Sequence, residues 1–66
     1  MDGLHYIYGE LDSRRKYLTS DLEWSSNPNE KMIGSFEEMC EILDEYFIHG
    51  EFNSISGIIS PVDAKV

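Results

Sequence analysis

The apolar positions of this chain change period part-way along it. From Leu4 to Trp24 they recur loosely in twos, and from Ser35 to Gly50 they recur in threes and fours. The second pattern is the sharper one. Phe36, Met39, Cys40, Leu43 and Phe47 fall at i, i+3, i+4, i+7 and i+11, one stripe of an α-helix. Ser35-Phe36-Glu37-Glu38 has the form of a capping box, in which hydroxyl and carboxylate each satisfy the other residue's amide. Gly50 stands where a left-handed residue can end the helix. The spacing predicts a helix from Phe36 to His49, about 21 Å long at ~1.5 Å per residue. Opposite the stripe lie Glu37, Glu38, Glu41, Asp44 and Glu45, all acidic.

The first pattern predicts strands. Gly3 to Leu11 is rich in strand formers, with Leu4, Tyr6 and Tyr8 on one face and His5, Ile7 and Leu11 on the other. Asp12 to Arg15 is a polar break that suits a turn, although it lacks the Asn-Gly or Asp-Gly of a tight hairpin. Lys16 to Trp24 then reads as a second strand with Leu18, Leu22 and Trp24 on one face; a short helix over Ser13 to Leu22 competes with it. Ser25 to Glu30, broken by Pro28, is a loop, and Lys31 to Gly34 leads into the helix. Glu51 to Ser60 carries Phe52, Ile55, Ile58 and Ile59, with Ser54, Ser56 and Gly57 interrupting the alternation, as in a bulged or edge strand. Pro61 ends the pairing, and residues 61–66 read as a flexible tail. The whole, residues 1–66, is expected to be one α+β domain: a small antiparallel-type sheet in β-β-α-β order with one amphipathic helix packed on one face. Its expected core combines Leu4, Tyr6, Leu18, Leu22 and Trp24 with the helix stripe and the segment Ile55 to Ile59.

Size and charge narrow the function. A chain of 66 residues buries only about 60% of the surface its unfolded form exposes, so its core is small. Thirteen acidic against five basic residues give a formal charge of −8. Such a field repels nucleic acid and anionic lipid and steers the protein toward basic surfaces; it also keeps a small protein in solution. The single cysteine, Cys40, excludes an internal disulfide framework and fits a reducing compartment. Met1-Asp2-Gly3 has neither the basic nor the apolar region of a secretory leader, and no run approaches the ~20 apolar residues of a membrane span. The expected location is the cytoplasm.

Nothing in the residues specifies a reaction, and the expectation is a protein that is not an enzyme and carries no cofactor or metal. Cys40 lies on the apolar stripe, where a buried structural thiol is the better reading. His49 at the helix end suits the dipole, His5 sits in a strand, and neither has a partner at a metal-ligand spacing. The acidic pairs resemble no calcium loop, and the five glycines are too scattered to cradle a phosphate. Arg14-Arg15-Lys16 is the only basic cluster. It reads as a solvated turn or as one half of a bipolar surface rather than as a nucleic-acid site. Aromatic residues exceed what so small a core needs, so Tyr8 and Tyr46, at element edges near acidic residues, are candidate interface anchors.

The acidic helix supports the sharpest expectation. Carboxylates spaced along a rod can imitate a run of backbone phosphates and so occupy a basic site evolved for DNA or RNA. The stretch Ser-Phe-Glu-Glu-Met-Cys-Glu-Ile-Leu-Asp-Glu-Tyr-Phe, then Gly50 and Phe52, then an isoleucine-rich segment ending near Pro61, resembles the small phage-encoded inhibitors of bacterial RNA polymerase. The likeness covers about half the chain, Lys31 to Val62. It implies a hairpin before the helix and a strand after it, binding to the polymerase's largest subunit in the host cytoplasm, and blocked promoter opening. The family's strand after the helix carries binding arginines, where this chain has Asn53, Ser54 and Ser56. The expected partner is therefore a host protein with a basic, nucleic-acid-binding surface, met through Glu37, Glu38, Glu41, Asp44 and Glu45 with Tyr8 and Tyr46. The alternative is an assembly module that pairs the exposed strand edge Gly57 to Ser60 with a larger protein.

Overall fold

A computed structural model describes residues 3–62. Its elements are β1 (His5–Leu11), β2 (Arg14–Leu18), β3 (Trp24–Ser25), a single 3-10 turn (Pro28–Glu30), α1 (Phe36–Tyr46), β4 (Glu51–Phe52), β5 (Ile55–Ser56) and β6 (Ile58–Pro61). Four strands form an antiparallel sheet in the order β3-β2-β1-β6, and β4 pairs with β5 in a separate two-stranded ribbon. The helix lies across one face of the larger sheet, so the α+β architecture expected from the sequence is the one observed.

The hairpins turn without the expected signals. β1 and β2 are joined by Asp12 and Ser13 alone, both at positive φ (57° and 66°), the signature of a primed two-residue turn. Asn53 and Ser54 do the same between β4 and β5 (55° and 68°). Asp and Asn tolerate the left-handed region because their short side chains bond locally, whereas Ser accepts it at a cost that the paired strands offset. The expected second strand, Lys16 to Trp24, is in fact two: Leu22 adopts φ 61°, and β3 folds back so that Leu18 pairs with Trp24. No helix forms over Ser13 to Leu22. The 3-10 turn is capped by Asn27, whose side chain accepts from the Asn29 amide.

The helix is shorter than its apolar period. It stops at Tyr46, and Phe47, at φ −98° and ψ 99°, is already extended, although its amide still bonds the Leu43 carbonyl at 3.0 Å. Leaving the helix carries the Phe47 ring into the core. It meets Trp24 edge-on at 6.0 Å and Phe52 at 5.4 Å. Gly50 (φ 83°) therefore does not cap the helix; with His49 (φ 56°) it turns the chain between Ile48 and Glu51. His49 consequently lies outside the helix, exposed, and does not serve its dipole.

The core is built from Ile7, Leu18, Met39, Phe47 and Ile55, all nearly inaccessible to solvent. Here the expected core is overturned on β1. Ile7 faces the helix, Tyr6 and Tyr8 face away from it, and Leu4 is 57% exposed. Both faces of this strand are apolar, so alternation alone could not choose between them. Gly9 chooses, because it shares the Ile7 face and lets β5 come down onto the strand: a Cβ at Gly9 would overlap Ile55 Cγ2 and the Ser56 carbonyl oxygen. The Trp24 indole N–H donates to the Phe52 carbonyl oxygen at 3.1 Å, tying the β2–β3 hairpin to the ribbon. Pro61 still belongs to β6, and the Val62 amide donates to the Leu4 carbonyl oxygen at 2.8 Å. The rest of the expected tail, 63–66, lies outside the described residues.

Candidate functional site: the acidic helix face

The capping box forms as its residues require. The Glu38 amide donates to Ser35 Oγ at 3.1 Å, and the Ser35 amide donates to Glu38 Oε1 at 3.0 Å. This fixes where α1 begins and hence where its carboxylates point. Glu37, Glu38, Glu41, Asp44 and Glu45 are all exposed, and at ~100° per residue they share an arc of roughly 120°. The helix, Phe-Glu-Glu-Met-Cys-Glu-Ile-Leu-Asp-Glu-Tyr, contains no basic residue to neutralise them. Glu37 and Glu38 lie in its first turn, where the dipole favours negative charge. Asp44 and Glu45 lie in its last turn, where it does not. Their presence there concentrates charge at a modest expense in helix stability.

Beside the acidic arc runs a shallow apolar groove. Met32 and Ile33, from the segment entering the helix, form one wall, Met39 and Ile42 the other, and Glu38 and Glu41 stand along it. Ile33 is 46% exposed. Tyr46, four residues after Ile42 and also exposed, lies beyond the groove toward the helix end. The five carboxylates are thus brought to one side of the helix, whereas Tyr46, two residues after Asp44, points about 160° away from it.

Tyr8 is not among them. It lies on the far side of the sheet, where the Arg15 guanidinium covers its ring at 4.2 Å. One flat partner surface cannot touch Tyr8 and Tyr46 together.

No family model, curated protein or solved structure matches this chain. Any functional reading therefore rests on its own residues.

Those residues hold few reactive arrangements. Cys40 is a free, half-buried thiol on the flank of the helix. His5 packs edge-on against Phe36 at 5.3 Å, and one of its ring nitrogens lies 3.2 Å from the Gly3 carbonyl oxygen. Among the described residues no three of His, Cys, Asp and Glu come close enough to hold a metal ion, and no helix is long and apolar enough to cross a membrane. The groove residues Met32, Ile33 and Ile42 were the part of this surface that sequence reasoning missed. Ile42, standing between the stripe and the acidic face, was the available signal.

Proposed function

We propose that this is a small binding protein without catalytic activity that sets its acidic helix against a basic, nucleic-acid-binding surface of another protein and keeps nucleic acid from it. The observation that carries the reading is the unbroken carboxylate arc of α1 beside an apolar groove. Charge alone attracts without selecting, whereas a groove beside it gives a partner's apolar side chain a place to be buried, and buried anchors supply most of the affinity at interfaces. Ile33 and Ile42 are the groove side chains a partner would bury against on this reading, with Tyr46 one turn further along the helix. The likeness to phage-encoded inhibitors makes bacterial RNA polymerase the first target to test. The segment corresponding to that family's arginine-bearing strand is here a turn of Asn53 and Ser54, so the contact would be made by the helix.

The experiment is affinity capture from nuclease-treated bacterial lysate with stepwise salt elution, comparing the native chain with the double variant Glu41→Lys, Glu45→Lys. Capture of a nucleic-acid-binding protein that elutes as salt rises, and that the reversed helix fails to hold, is the expected result. Equal capture by both forms, with equal salt dependence, would remove the acidic face from the mechanism.

A second reading has one observation in its favour: β6 is an edge strand. Its outer edge is poor in donors, however. The Val62 amide bonds toward β1, so by antiparallel alternation the amides of Ser60 and Ile58 also face β1 and only Ile59 presents an N–H outward; Pro61 has none. Strand addition would be salt-insensitive and abolished by Ile59→Pro. Ile58→Pro would instead break pairing with Tyr8.

A further inference from the structure

The face of the sheet turned away from α1 is a second surface with the opposite chemistry. Tyr6, Tyr8 and Tyr17 form a continuous aromatic patch there, with Tyr6 5.9 Å from each of the other two rings. Ile58, 49% exposed, extends it on β6. Cations lie over the patch. The Arg15 guanidinium stacks on Tyr8 at 4.2 Å, and Lys31 Nζ stands 5.3 Å from the Tyr6 ring and 5.8 Å from the Tyr17 ring. Lys31 Nζ also donates to the Pro28 carbonyl oxygen at 2.9 Å, and the Arg15 guanidinium lies over Tyr8 although Glu10 is directly opposite it in the strand register.

We propose that this face binds an acidic peptide segment of a partner protein, with its carboxylates on Arg15 and Lys31 and its apolar atoms on Tyr6, Tyr17 and Ile58. Charge complementarity picks this occupant. A basic segment would meet two cations, and a nucleic acid would need bare ring faces for its bases, whereas each of these three rings has a cation within about 6 Å of its centre. Among the described residues the Arg15 side chain makes no hydrogen bond and Lys31 Nζ makes one, so both have N–H donors to offer a carboxylate, and the guanidinium fork matches its two oxygens. The chain's overall −8 charge does not forbid the contact. The helix carboxylates stand across the core, at least a layer of about 10 Å away, and at physiological salt charges are screened over ~8 Å. The surface is independent of the acidic helix face, so either proposal can fail without the other.

The test is a titration of the isotopically labelled protein with a short Asp/Glu/Leu peptide, followed by backbone amide NMR, with the Asn/Gln/Leu counterpart and an oligothymidylate as comparisons. Shifts at Tyr6, Tyr8, Arg15, Tyr17 and Lys31 with the acidic peptide alone are the expected result. Affinity should fall about tenfold or more in Arg15→Gln, rise in Glu10→Gln, and stay unchanged in Glu41→Lys, Glu45→Lys. Arg15 and Glu10 are exposed, and an unaltered amide spectrum of each free variant certifies its fold. Absence of shifts at millimolar peptide, equal binding of the uncharged peptide, preference for the oligothymidylate, or concentration-dependent shifts of the protein alone at this face would each overturn the proposal.

Discussion

The two faces of the sheet are made by the same strands and have opposite surroundings. On β1, Ile7 and Gly9 face the helix and Tyr6 and Tyr8 face away, so neighbouring residues differ in burial and in purpose. On β1 and β2 the covered face closes on Gly9, Ile7 and Leu18, because a helix and a ribbon must both approach it. The open face keeps large rings with polar tips, which pack against each other and carry cations without needing a covering layer. Apolar content therefore does not say which face is the core. Shape does: the face that can admit another layer becomes the inside.

That contrast predicts unequal losses. Ile7→Ala should cost about 2–5 kcal/mol, a large part of what holds a small domain together, and urea unfolding followed by far-ultraviolet circular dichroism would measure it. Ser35→Ala should cost about 1 kcal/mol by removing the hydroxyl from the helix cap, and should leave amide shifts on the Tyr6 face unchanged. Tyr8→Ala should cost least, below about 1 kcal/mol, chiefly its contact with the Arg15 guanidinium. If Tyr8→Ala destabilised the protein as much as Ile7→Ala, the tyrosine face would be a second core and not an open surface.

The helix start was legible because every signal for it is local: Ser35 and Glu38 are three residues apart, and their hydrogen bonds need nothing from the rest of the chain. The helix end was not, because Phe47 leaves the helix to reach Trp24 and Phe52, distant partners that its own period does not announce. The turn at Asp12 and Ser13 was legible as a polar break between two strands, and only its tightness was not. Its left-handed pair is poorly favoured locally and is held by the strands it joins. Of the candidate site, the five carboxylates could be placed together from helical spacing alone, and the same spacing sets Tyr46 apart from Asp44. The separation of Tyr8 and the groove under Ile33 could not.

The sequence by itself therefore determined the start of the acidic helix, its cap, the first strand and the α+β class, since each follows from spacings within a single segment; Lys16 to Trp24 and Glu51 to Ser60, each read as one strand, divide into two and three. Tertiary structure alone decided which face of β1 is buried, where the helix stops, and that the cations Arg15 and Lys31 meet the rings of Tyr6, Tyr8 and Tyr17 on the side opposite the carboxylates. These depend on a backbone approach at Gly9 and on residues far apart in the chain. Local pattern sets what an element can offer on each side, and only packing against the other elements settles which side is used.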